Sequence, residues 1–190
     1  MEGARLLDIL LEERHHPTQI VLLTLNQPEV LNAFNSKLGR VLNANLERQW
    51  DDPTVRVLIL AGDGDAFSIG DDVTERHTMN QSESVGCASP SQKVYRKLGT
   101  FPKPSLWAIN GMVLDGGLEM TLSADFCYAS TPAWQGFPEV SRGISPGVGG
   151  TQTVWRFTSR ERALELLMTG QPISALEAYH DGLVNKVLES

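Results

Sequence analysis

The stretch that most constrains this chain is residues 110–125, Asn-Gly-Met-Val-Leu-Asp-Gly-Gly-Leu-Glu-Met-Thr-Leu-Ser-Ala-Asp. An apolar run at residues 105–109 enters it, and an apolar-periodic run leaves it. Between them stand two adjacent glycines, Gly116 and Gly117, and then one acid, Glu119. A strand, a glycine turn and a helix start, in that order, place main-chain N–H groups beside a carboxylate. Such a place suits holding a developing negative charge and moving a proton.

The remainder alternates short apolar runs with helical periods. Residues 6–13 and 20–25 predict a hairpin turning at His16-Pro17. Leu31, Phe34, Leu38, Val41, Leu42, Leu46 and Trp50 recur at helical spacing, predicting an amphipathic helix over 36–50 capped by Asn35 or Ser36. Residues 55–60 have the continuous apolar character of a strand buried on both faces. A short strand follows at 66–69. Residues 74–92 are polar, Ser-rich and without period, predicting a mobile segment, with a helix over 91–100. After the double glycine a helix is expected to begin at Met120. A short strand is expected at 126–129, helices at 151–157 and 161–168, and a last strand at 183–188. Ser174 and Glu177 form a capping box that opens another helix. Strand–strand–helix units recur without a strict repeat or a linker, so the expectation is one α/β domain over residues 1–190.

A net charge of −7 and the absence of any Lys/Arg run argue against a nucleic-acid partner, which needs a concentrated basic face. Cys87 and Cys127 have neither metal spacing nor a disulfide framework, and are expected as free thiols in a reducing, cytoplasmic compartment. The apolar run at 6–11 is broken by Asp8, which fits neither a secretory signal nor a membrane span. The sequon Asn80-Gln81-Ser82 is taken as chance, and His15-His16, with no third ligand nearby, as solvated loop residues rather than a metal pair. No metal or phosphate-binding motif is present, nor a Gly-x-Ser-x-Gly nucleophile turn. Glycine turns meet acids at residues 69–72, at 115–119, and at Pro138-Glu139 ahead of the loop ending Gly149-Gly150. Glu119 and Glu139 could serve as general acid and general base if the fold joins them. From spacing alone, two glutamates at helix starts are more often capping or solvated.

The same residues carry a resemblance. Val-Leu-Leu-Thr-Leu-Asn-Gln-Pro-Glu-Val-Leu-Asn-Ala-Phe-Asn from Val21 resembles the opening signature of the crotonase (enoyl-CoA hydratase/isomerase) family. So do Val57-Leu-Ile-Leu-Ala-Gly with Ala66-Phe-Ser-Ile-Gly-Asp-Asp, and Asn110-Gly with Gly116-Gly-Leu-Glu. Phe137-Pro-Glu, Pro146-Gly-Val-Gly-Gly-Thr-Gln, Thr169-Gly-Gln-Pro-Ile-Ser-Ala and Gly182-Leu-Val-Asn-Lys-Val continue it in order. The resemblance implies a spiral of ββα units and a coenzyme A thioester as substrate, with no separate cofactor and no metal. It also implies a homotrimer or dimer of trimers, and neither a membrane nor a nucleic-acid partner. It implies an oxyanion hole from the main-chain N–H groups of Ile69 and Gly116, with Glu139 delivering the α-proton and Glu119 positioning and deprotonating water. Both glutamates together favour hydration of an enoyl-CoA, or the reverse dehydration. The alternatives are double-bond isomerisation, hydrolase or lyase chemistry on an unusual acyl group, and a non-catalytic relative.

Three features depart from the family's pattern. Asp115 stands where the family usually has glycine, beside the expected oxyanion donor, where a carboxylate could raise the pKa of a neighbouring acid. Ile69 is bulkier than the small residue common there. The chain ends soon after Val187, where the family's further C-terminal helices are expected.

Overall fold

The computed structural model of the chain describes residues 9–77 and 81–189, with side chains described outside 76–89. Strands β1 (Leu10–His15) and β2 (Ile20–Leu25) form the expected antiparallel hairpin. Residues 6–8 of the predicted first strand lie outside the described residues. Strands β3 (Val57–Gly62), β5 (Ser105–Ile109), β7 (Phe126–Ser130) and β10 (Lys186–Leu188) continue the sheet in parallel, giving the order β1-β2-β3-β5-β7-β10. A second sheet holds β4 (Ala66–Ser68), β6 (Met112–Leu114), β8 (Trp134–Gly136) and β9 (Ile173–Ser174) in that order.

Chain order and sheet order together produce the spiral. Each of the pairs β3–β4, β5–β6 and β7–β8 gives its first strand to the large sheet and its second to the small one. Helices then return the chain: α1 (Ser36–Asp51) after β2, α2 (Val73–His77) and α3 (Gln81–Gly99) after β4, and α4 (Gly116–Thr121) after β6. After β8 come a 3₁₀ turn (Pro138–Arg142), α5 (Gly150–Thr153), a second 3₁₀ turn (Val154–Arg156), α6 (Arg160–Thr169) and α7 (Ala175–His180), leading to β10. This is the α/β arrangement of repeated ββα units that the resemblance implies.

Period-two patterning builds the core. Val21, Leu23 and Leu25 of β2, Leu58 and Leu60 of β3, and Trp107 and Ile109 of β5 turn to one buried face. Leu38, Leu42 and Leu46 of α1, and Val94, Tyr95 and Leu98 of α3, cover it. Asn35 caps α1 by accepting the Leu38 N–H at 2.9 Å. The Trp107 indole N–H donates to the Met120 carbonyl at 2.9 Å, fastening α4 to the large sheet. Among the described residues no helix is long and apolar enough to cross a membrane.

Four expectations are corrected. β3 alternates buried and half-buried positions rather than burying both faces, because its second face is only partly covered. Most of the polar segment 74–92 belongs to helices: α3 starts at Gln81 rather than Ser91, and Pro90 lies inside it. Residues 78–80, with Asn80 of the sequon, lie outside the described residues, as does the side chain of Cys87. Helix α4 begins at the glycines rather than at Met120. A Cβ on Gly117 would sit 2.2 Å from the Ser68 carbonyl oxygen, so close packing of α4 on β4 outweighs glycine's poor helix propensity. The three-residue β6 and two-residue β9 are too short to show a period, and sequence patterning passes over both.

Candidate active site

The site forms where β6 gives way to α4. All six α4 residues are buried, and Glu119 in its first turn is 5% exposed. Its Oε1 accepts two main-chain N–H groups from the glycine-rich loop, Val148 at 3.0 Å and Gly150 at 2.6 Å. Glu139 enters from the 3₁₀ turn after β8 and is 1% exposed. Among the described residues neither of its carboxyl oxygens has a hydrogen-bond partner of normal geometry, its own amide acting on it only electrostatically. Asp115, 6% exposed, completes the cluster: one carboxylate oxygen from each of the three acids lies within 4.8 Å of the others. The fold therefore joins Glu119 and Glu139, which stand 20 positions apart in the chain. Three convergent carboxylates are also the donor type that a hard cation takes. Here both Asp115 oxygens and one Glu119 oxygen are already engaged with protein donors.

Burial raises the pKa of all three acids, because an ionised carboxylate loses its hydration. Glu139 is pushed up to about 8, first by burial and then by the charges of Asp115 and Glu119; its own amide and Arg142 oppose only part of this. Glu119 is raised by burial, with the Gly150 and Val148 N–H groups working against the rise. Asp115 is likewise raised by burial, opposed by the Gly116 N–H and by Arg142. Glu119 also lines a cavity of about 690 Å³, with Tyr95, Leu122, Gly149, Gln152 and Phe157 among its walls.

Ile69 and Gly116 come from the turns after β4 and β6. Asn32 anchors the Ile69 side: its side-chain amide donates to the Asp63 and Ala66 carbonyls at 2.9 and 2.8 Å. That anchoring carries the preceding residue's carbonyl to Ile69, whose N–H donates to Leu31 O at 3.2 Å. The Gly116 N–H donates to Asp115 Oδ1 at 2.6 Å. Both amides are thus occupied by acceptors of the protein itself. Asp115 stands at φ 54°, ψ −133°, a region costing a non-glycine residue on the order of 1–3 kcal/mol. Its Oδ2 pairs with Arg142 Nη1 at 2.9 Å.

Sequence reasoning singled out Asp115, Glu119 and Glu139, but not the groups that hold them. Arg142 carried no motif, and its only signal was its place three residues after Glu139 in the same turn. The Val148 and Gly150 amides sit in a loop noticed for its glycines, which say that backbone approaches something without saying what. Asn32 lies inside the quoted opening signature, where nothing in its spacing marks it as a structural tie.

The sequence model of the family described as enoyl-CoA hydratase/isomerase matches residues 15–190. The short-chain-enoyl-CoA hydratase of Clostridium acetobutylicum is 39% identical over 172 residues, covering 90% of this chain and 66% of that protein. The crotonyl-CoA hydratase of Syntrophomonas wolfei is 36% identical over 183 residues, covering 96% and 69%. The crystal structure of an enoyl-CoA hydratase from Bacillus anthracis superposes with a TM-score of 0.91 at 34% identity, over 95% of this chain and 70% of that one. The chain spans about two thirds of the length of these relatives. With a match this long in sequence, and the ββα spiral and buried glutamate pair in place, the chain belongs to the enoyl-CoA hydratase/isomerase family.

Proposed function

We propose that the protein hydrates an enoyl-CoA thioester, or dehydrates the corresponding 3-hydroxyacyl-CoA. The observation that carries this reading is the unequal support of two facing glutamates: Glu119 receives two main-chain N–H bonds and Glu139 none. Hydrogen bonds to the charged form favour it, so of the two Glu119 is the one held nearer its carboxylate form, and Glu139, pushed up to about 8, is the acid at neutral pH. In hydration Glu119 takes a proton from water as its oxygen bonds to C3. The C2–C3 electron pair moves onto the thioester as an enolate, and Glu139 gives its proton to C2. The Gly116 and Ile69 N–H groups hold the enolate oxygen once each leaves its resting acceptor, Asp115 Oδ1 and the Leu31 carbonyl; in comparable sites losing one such donor costs about 3 kcal/mol. Both proton transfers run through carboxylates, so the reaction calls for no resident metal or cofactor, and coenzyme A enters with the substrate. The relatives named as enoyl-CoA and crotonyl-CoA hydratases support the same substrate class.

A homotrimer, or a dimer of trimers, would cover exposed apolar side chains such as Phe126, Trp134, Trp155 and Met168, and sedimentation of the purified chain checks it. A reducing compartment such as the cytoplasm suits Cys127, a buried thiol whose pKa burial pushes up to about 12.

The test is incubation with crotonyl-CoA while following loss of the conjugated thioester absorbance, with the product identified by mass. Addition of one water supports hydration. A shifted double bond without added water would instead give isomerisation. Retained thioester binding without loss of conjugation at high protein concentration would overturn both.

A further inference from the structure

We propose that Asp115 is an internal occupant of the thioester-oxygen position, which an incoming acyl thioester displaces from Gly116 while Arg142 keeps hold of it. The proposal rests on the acyl-CoA reading above and adds a device that reading does not contain. Asp115 Oδ1 accepts the Gly116 N–H at 2.6 Å, and that N–H is the donor assigned to the thioester oxygen. The carboxylate is wedged between the two halves of the site. A Cβ built on Gly70 would lie 2.5 Å from Asp115 Cβ, 2.9 Å from its Cγ and 2.7 Å from the Gly116 nitrogen. Gly70 stands at φ 85° and leaves the space that the Asp115 side chain fills.

Two physical arguments make this more than a helix cap. A single N–H gives one well-aligned bond, and its bond to a carboxylate is stronger than one to a neutral thioester oxygen. The resting protein therefore holds its donor closed. Second, an enolate forming beside a fixed carboxylate meets like charge at short range in a buried site. Turnover through Gly116 requires that the carboxylate leave. Arg142 supplies the destination: its Nη1 already holds Oδ2 at 2.9 Å, and its long side chain, 43% exposed, carries further guanidinium donors. Asp115 also holds φ 54°, ψ −133°, which relaxation of the turn would relieve. Displacement then acts as a threshold on affinity: only a thioester with enough binding energy elsewhere opens its own donor.

The experiment uses the full chain and butyryl-CoA, a saturated thioester that cannot be hydrated. Dissociation constants come from calorimetry and the Gly116 amide from ¹H–¹⁵N spectra. Asp115→Gly is expected to bind butyryl-CoA at least tenfold more tightly than the parent. Asp115→Asn, which keeps the side chain's shape and loses its charge, is expected to bind at least threefold more tightly. In the parent, the Gly116 amide proton is expected to move upfield on saturation with butyryl-CoA, as the carboxylate bond is exchanged for a thioester bond. Arg142→Gln is expected to weaken binding several-fold in the parent but not in the Asp115→Gly background. Unchanged or weaker binding by both Asp115 variants, at melting temperatures no lower than the parent's, overturns the proposal. So does an unmoved Gly116 amide in the saturated parent. In either case measurable thioester binding leaves the acyl-CoA reading standing. Absence of binding by the parent and by both variants overturns that reading and the displacement with it.

Discussion

Glu119 and Glu139 are the same side chain at nearly the same burial, 5% and 1% exposed, yet the fold treats them in opposite ways. Glu119 projects from a helix pinned to the sheet through Trp107, and two loop amides converge on one of its oxygens. Glu139 projects from a single 3₁₀ turn into the same cluster, and among the described residues no other residue's N–H bonds its carboxyl. Burial pushes both toward the neutral form, and the two amides hold Glu119 back from that while Glu139 climbs to about 8. On the proposed reading, one residue type divides into base and acid through main-chain geometry.

The sharpest way to break this comparison is to neutralise each member alone. Glu119→Gln is expected to lower hydration of crotonyl-CoA by roughly 10³-fold, within the 10²–10⁴ that a positioned acid or base contributes. Butyryl-CoA binding should be retained. Because Glu139 is untouched and its ionised fraction can take an α-proton and return a deuteron, slow exchange of the α-hydrogen of butyryl-CoA with deuterated solvent should survive in Glu119→Gln. The same exchange should vanish in Glu139→Gln, along with hydration. Loss of exchange in Glu119→Gln and its survival in Glu139→Gln would invert the assigned roles.

A smaller effect lies in the pH profile. Hydration needs Glu139 protonated, so its kcat/KM should fall as pH rises through about 8, approaching tenfold per unit well above it. The same limb should be absent from thioester binding. A hydration profile flat from pH 7 to 10 would mean that Glu139 is not the proton donor.

These features were unequally legible in the sequence. The amphipathic stripe from Leu38 to Trp50, the β-branched run of β2 and the Ser174–Glu177 capping box each follow from local chemistry, and the structure places all three as expected. The helix after the double glycine is expected but the start of α4 is not, because Gly117 is accommodated there by its close approach to the Ser68 carbonyl, 49 residues earlier in the chain. The site divides in the same way. Glu119 and Glu139 could be picked out as acids beside glycine turns. Their difference could not, since it depends on which backbone N–H groups the fold delivers to each, and every loop residue carries an N–H. Asp115 was visible as an oddity, but its wedge against Gly70 exists only once β4 and β6 lie side by side.

The smallest expected effect bears on stability and tests the unpartnered state of Glu139 without any substrate. A carboxyl raised from 4.5 to about 8 on folding keeps a proton that the unfolded chain has released throughout that window. The native state then binds more protons than the unfolded state, so this group's stabilising contribution is complete below pH 4.5 and is lost as pH rises through about 8. For one proton the slope is at most about 1.4 kcal/mol per pH unit. Asp115 and Glu119 face Glu139 and are raised in the same direction, while Arg142 opposes them, so the parent's whole curve mixes several groups. Glu139→Gln isolates the one in question. Urea unfolding of parent and variant should give similar stabilities at pH 5, and the variant should become progressively the more stable of the two between pH 6 and 8. Parallel curves across that window would mean that Glu139 is ionised in the folded protein, and the contrast with Glu119 would lose its electrostatic basis.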